Sequence, residues 1–168
     1  MNIKPIIGDI TEFQGDVIVN SANKSLMRGG GLCGQIHKKA GIELEKECLE
    51  IKQKLNIDWI PIGNVIVTKG YNLFSNYIFH TVSPKNSFDD MTLLKKCYSN
   101  CIKKADEMNL TSIAFPPIGT GIYNIPTEVS SRMLKEAIEE IQDINKLKEI
   151  YLYFLTEDKM NTYKTIFT

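Results

Sequence analysis

Two glycine runs, each leaving a strand-like stretch, hold the residue types best suited to chemistry in this chain. One reads Asn20-Ser21-Ala22-Asn23, then Gly29-Gly30-Gly31-Leu32-Cys33-Gly34 and His37, and follows the apolar run Val17-Ile18-Val19. The other reads Pro116-Pro117-Ile118-Gly119-Thr120-Gly121-Ile122-Tyr123 and follows Ser112-Ile113-Ala114-Phe115. Without a Cβ the chain can take positive φ and approach a ligand closely. Successive N–H groups in such a turn form a concavity that binds anions. The helical pattern after the first run adds the positive end of a helix dipole. An ordinary turn needs one glycine or two, and either run alone is a weak signal. Two of them in one short chain point to a clamp on a diphosphate. Neither run carries the Lys-Ser/Thr pair of a Walker loop, which argues against an NTPase.

Other polar residues stand near these runs. Asp9 follows Gly8 at the end of the first strand-like stretch. An ionised carboxylate only accepts hydrogen bonds, so Asp9 suits an exocyclic amine, although Gly-Asp is also common turn chemistry. Asn23 offers both donors and an acceptor, which fits the vicinal hydroxyls of a sugar. Asn20 ends a buried strand and reads as scaffold that bonds the backbone of its own loop. His37 falls one helical turn after Cys33, open between a place at the site and a structural role. His80, in Phe79-His80-Thr81-Val82-Ser83-Pro84, reads as a structural strand-end residue.

Composition limits the class. With 168 residues, 43% hydrophobic and 24% charged, the chain reads as one soluble domain over residues 1–168. Lys+Arg and Asp+Glu are both 20, a balance that argues against a nucleic-acid surface. The lysines between Lys95 and Lys104 follow a helical pattern and read as a solvated face. No apolar run approaches the roughly 18 residues of a membrane span, and the N-terminus enters a strand pattern without a signal-peptide core. A cytoplasmic monomer with no membrane partner is expected. Cys33, Cys48, Cys97 and Cys101 lack a framework spacing and read as reduced core thiols. With His37 and His80 the only histidines, a zinc site has little support; no metal or cofactor is expected. Trp59, between a helix and a strand, reads as a packing residue.

The elements that must position these residues alternate. Strands are expected at Ile3–Ile7, Val17–Asn20, Asn64–Thr68, Tyr77–Val82, Thr111–Phe115 and Glu149–Leu155. Helices are expected at Gly34–Leu55 with a break near Gly41, Met91–Met108, Thr127–Ile144 and Glu157–Ile166. Asp89 or Asp90 suits a cap on the second of these, and Pro126 the first turn of the third. Such alternation predicts an α/β fold, a three-layer α/β/α sandwich. Ligands of open α/β sheets bind beyond the carboxyl ends of strands, where Asp9 and both glycine loops fall.

Four segments, Gly8 to Thr11, Asp16 to Gly41, Phe79 to Pro84 and Ser112 to Tyr123, resemble in order the macrodomain, the ADP-ribose-binding module. The Asn-rich strand end, the three glycines and Ile36-His37-Lys38-Lys39-Ala40-Gly41 are most similar to the MacroD-type branch, which includes enzymes that remove ADP-ribose from proteins. The resemblance implies a mixed central sheet, with ADP-ribose or an ADP-ribosylated protein as partner. It implies that Asp9 accepts the adenine amine while the Ile10 N–H reads the ring edge. Ala22 and Asn23 would hold the distal ribose, and Gly29, Gly30, Gly31, Leu32 and Cys33 would flank it and the diphosphate. Pro117, Gly119, Thr120, Gly121 and Ile122 would face them, with Tyr123 as a lid over the ribose.

The resemblance also implies hydrolysis of ADP-ribose from an acidic side chain or of O-acetyl-ADP-ribose, with Asn23, Cys33 and His37 as the catalytic segment. A non-catalytic reader is the alternative. Cys33 departs from the branch, which carries aspartate there, and so removes a carboxylate that would activate water. Some similar viral macrodomains lack it too and are regarded as hydrolases, the substrate's phosphate orienting the water. A second departure puts Leu155 or Thr156 where the family places an adenine-stacking aromatic. Phe154 alternates to the opposite face of the strand.

Overall fold

Strands rich in β-branched and aromatic residues, apolar on both faces, need cover on both sides. The computed structural model, which describes every residue from Met1 to Thr168, supplies it with five helices around one six-stranded sheet. The strands are β1 (Asn2–Ile7), β2 (Val17–Ala22), β3 (Val65–Lys69), β4 (Tyr77–Val82), β5 (Ser112–Phe115) and β6 (Glu149–Phe154). The helices are α1 (Gly31–Ala40), α2 (Ile42–Leu55), α3 (Thr92–Glu107), α4 (Thr127–Glu140) and α5 (Glu157–Phe167). In the sheet the order is β1-β6-β5-β2-β4-β3. All neighbours are parallel except the edge pair β3–β4. This is the mixed sheet of a three-layer α/β/α sandwich.

Strand alternation divides the core in two. Ile18, Ala22, Ile78, Val82 and Ala114 face α1 and α2, where Ile36, Ala40, Leu44 and Cys48 close the layer. Val17, Val19, Phe79, Ile113, Phe115, Ile150 and Leu152 face the other way, onto α3, α4 and α5 through Leu94, Tyr98, Ile102, Leu134 and Tyr163. All four cysteines are buried thiols.

Strand bounds agree with the sequence expectation within two residues, but two helix ends move. Helix α1 starts at Gly31 rather than Gly34, capped by Gly30 and entered through Gly31 at φ 53°. Helix α4 stops at Glu140 rather than Ile144 because Asp106, at the end of α3, captures the next loop. Its Oδ1 accepts from the N–H groups of Asn145 (3.0 Å), Lys146 (2.6 Å) and Leu147 (2.9 Å). Asp90 rather than Asp89 serves the start of α3, accepting from the Thr92 N–H at 2.9 Å. Trp59 is not a packing residue of the core. It is 59% exposed, with the Lys24 ammonium over its ring at 4.5 Å.

Candidate functional site

Because β1, β6, β5 and β2 are adjacent and parallel, their carboxyl ends open on one edge of the sheet. The segments leaving them enclose a cleft of about 390 Å³. Its stations follow strand order: Gly8, Asp9 and Ile10 after β1; Tyr153, Leu155 and Lys159 at the end of β6; Pro116 to Tyr123 after β5; Ser21 to Asn23 and Gly29 to Cys33 after β2. Three inter-strand spacings span roughly 14 Å. That suits a long, narrow ligand.

The two glycine loops present unspent donors to this cleft. The N–H groups of Gly29 to Cys33, and those of Gly119, Gly121, Ile122 and Tyr123, donate to no protein acceptor. In the first loop these include the orphan donors of a helix start. A Cβ built on Gly30, Gly31 or Gly121 would meet nothing within 4 Å, so these glycines keep space free in front of the backbone. Gly119 is glycine for another reason. Its φ is 82°, and a Cβ there would lie 2.5 Å from Ile125 Cδ1 and 2.6 Å from Ser83 Oγ.

A buried latch fixes the second loop from behind. Ile118 N–H donates to Tyr98 Oη at 2.9 Å, and Ser130 Oγ donates to Ile118 O at 2.7 Å. Tyr98 Oη therefore donates to Ser130 Oγ, 2.7 Å away. Tyr98 of α3 and Ser130 of α4 thus hold both backbone groups of Ile118. Burial pushes the Tyr98 phenol far up, so it stays a donor at any ordinary pH.

Asp9 is already engaged. Its Oδ1 accepts from the Thr11 N–H (2.9 Å) and hydroxyl (2.6 Å), and its Oδ2 from Lys39 Nζ (2.8 Å). It caps the short 3-10 turn Ile10–Glu12. A carboxylate has about four acceptor positions, so one remains for a ligand amine. Burial would raise its pKa, but the hydrogen bonds from Lys39 and Thr11 outweigh that and lower it. The Ile10 N–H, beside it, has no protein acceptor.

Asn23 lines the cleft and Asn20 is buried scaffold, but their hydrogen bonds differ from those the sequence suggests. Asn23 is the residue that bonds its own loop: Nδ2 donates to Met27 O (2.7 Å), and Oδ1 accepts from Ser25 Oγ (2.6 Å) and Met27 N (3.2 Å). One N–H of its amide remains for the cleft. Asn20 instead crosses the sheet, its Nδ2 lying 3.1 Å from His80 Nδ1 and 3.6 Å from Cys33 Sγ. His80 Nδ1 thus accepts, and its Nε2–H donates to Thr68 Oγ1 at 2.9 Å. Burial, with neighbouring His37 adding to it, pushes His80 down to about 3. His80 is a neutral structural residue.

Cys33 lines the cleft, and its Sγ–H points at Met27 O, 3.8 Å away. No base touches it. His37 does not line the cleft; of its two possible roles, its surroundings fit the structural one. It is 5% exposed, its ring is 6.4 Å from that of His80, and burial lowers its pKa, Glu45 opposing and Arg28 assisting. One helical turn separates Cys33 from His37, but α1 turns the histidine toward β2 and β4.

Seven lining residues lie outside the site set expected from sequence: Gly8, Ser21, Gln35, Pro116, Tyr153, Leu155 and Lys159. Tyr153 matters most. It lies two residues before Leu155, on the same face of β6, with its ring 3.7 Å from the position a Cβ on Gly8 would take. An aromatic side chain therefore does stand at the base end of the cleft, displaced from where the resemblance put it; period-two alternation carried the signal. Phe154 faces away, against Tyr163 at 5.4 Å.

A cleft at the strand ends, flanked by two loops of free N–H groups, defines an α/β protein whose cleft suits an anion. The Macro domain family model matches residues 19–134, and the chain belongs to that family. A macro domain-containing protein of Listeria monocytogenes is 36% identical over 99% of this chain and 97% of its own. The Oceanobacillus iheyensis macrodomain, solved with ADP, superposes with a TM-score of 0.92 at 35% identity over 97% of this chain and 88% of that one. The Trypanosoma brucei macrodomain, solved with ADP-ribose, does so with a TM-score of 0.83 at 30% identity over 99% and 69%.

Proposed function

We propose that this protein binds ADP-ribose along the cleft and hydrolyses it from the acidic side chains of ADP-ribosylated proteins or from O-acetyl-ADP-ribose. The facing rows of unspent N–H groups at Gly29 to Cys33 and at Gly119, Gly121, Ile122 and Tyr123 carry this reading. They match the bent diphosphate of such a ligand, and the structures of relatives with ADP and ADP-ribose support it. Adenine lies at Asp9, Ile10 and Tyr153, and the distal ribose at Ala22, Asn23 and Tyr123. The remaining N–H of Asn23 orients the ribose, and the preorganised loop donors stabilise charge that develops near the diphosphate. Cys33 packs the wall and moves no proton. A water oriented by the substrate's own phosphate attacks the distal ribose carbon or the ester carbonyl; the bond from ribose to the acyl group breaks, the carboxylate leaves, and the water's proton passes to that phosphate and on to solvent. The protein works as a cytosolic monomer without a nucleic-acid partner, in keeping with its balanced charge.

Cys33 also favours a second reading, a binding module without turnover, because Asp9 is the only carboxylate that lines the cleft and it stands at the base end. Catalytic amounts of protein, incubated with a protein mono-ADP-ribosylated on glutamate, separate the two. The hydrolase releases ADP-ribose over many turnovers. Binding without release over hours leaves the reader.

A further inference from the structure

The β6 station holds a charge that the ADP-ribose reading does not use. Lys159, in the first turn of α5, is the only cationic side chain lining the cleft. It is half-buried, and its ammonium has no carboxylate partner. Tyr153, at the same strand end, also lines the cleft, and its hydroxyl makes no hydrogen bond to the protein. Asp9, the only other charged lining residue, is occupied by Lys39 at 2.8 Å. Glu157 and Asp158 share the turn with Lys159 but are exposed and outside the lining.

Strand order locates this pair along the ligand. β6 lies between β1, where Asp9 ends the cleft, and β5, which leads to the Gly119 loop. The station is thus one strand spacing, about 4.8 Å, from each. With the base at Asp9 and the diphosphate at the loops, what crosses β6 is the ribose of the adenosine. A bare ribose gives an ammonium nothing to neutralise; a phosphomonoester on it does.

We propose that Lys159, with the Tyr153 hydroxyl, forms a subsite for a phosphate carried on the 2′ or 3′ hydroxyl of the adenosine ribose, so that the cleft prefers adenosine nucleotides phosphorylated there. The placement rests on the ADP-ribose reading. Calorimetric titration of wild type, Lys159→Gln and Tyr153→Phe with ADP-ribose, its 2′-phosphorylated form, AMP, and adenosine 2′,5′- and 3′,5′-bisphosphate tests it. Wild type should prefer the phosphorylated member of a pair by about fivefold. The preference should vanish in Lys159→Gln, shrink in Tyr153→Phe and weaken with salt. Equal affinity within each pair, or equal weakening of both members by Lys159→Gln, overturns the subsite while ADP-ribose binding stands. If ADP-ribose fails to bind, the underlying reading falls, and the bisphosphates against AMP still decide the subsite.

Discussion

Cys33 is surrounded by groups that cannot draw its proton: an amide nitrogen at 3.6 Å and a carbonyl at 3.8 Å. A base would need a carboxylate or imidazole acceptor, and the nearest imidazoles are buried behind it. Cys33→Ala should therefore keep turnover within about threefold, well short of the roughly 10²–10⁴-fold that loss of a general base costs. Asn23→Ala should lose about 10²-fold, since it removes the proposed ribose donor and frees the Asn23–Met27 turn that leads into the three glycines. Initial rates of ADP-ribose release measure both. A collapse of turnover in Cys33→Ala, with a pH profile that follows a thiol, would make Cys33 the base instead.

At the scale of elements, the second glycine loop is held rigid so that its outer face can stay bare. Gly121 is the test position, because a Cβ there enters open space and its backbone, unlike that of Gly119, is not in the left-handed region. Gly121→Glu should leave folding intact and place both bulk and like charge against the diphosphate. ADP-ribose affinity should fall at least about a hundredfold, as titration would show. Normal binding by a folded variant would remove this loop from the site. The β2–β4 seam makes a different prediction through His80. Its folded pKa of about 3 lies below the unfolded value near 6.5, so the unfolded chain binds the extra proton between these limits. Its contribution is complete above pH 6.5 and is lost as pH falls toward 3. From pH 7 to 4.5 this costs about 3 kcal/mol, read from urea melts. His80→Gln should flatten that dependence; an unchanged slope would place the proton elsewhere.

Across the whole molecule, what could be read from sequence is what local chemistry dictates. Strand alternation placed the layers, and glycine runs that no simple turn requires marked the two loops. What escaped depends on partners remote in the chain. The Tyr98–Ser130–Ile118 latch joins two helices to a loop, and Lys39 reaches Asp9 across 30 residues. Helical spacing put Cys33 and His37 on one side of α1, yet small rotation decides which faces the cleft and which the sheet. Asn20 and Asn23 are the same residue type three apart, and only the position of Met27 and His80 tells them apart. The central claim is that these pieces form one cleft for ADP-ribose, and calorimetric titration tests it most directly. It should give saturable heat at a single site, with a matching thermal shift equivalent to about 2.7 kcal/mol at one hundred times Kd. Neither heat nor thermal shift at millimolar ADP-ribose would contradict it.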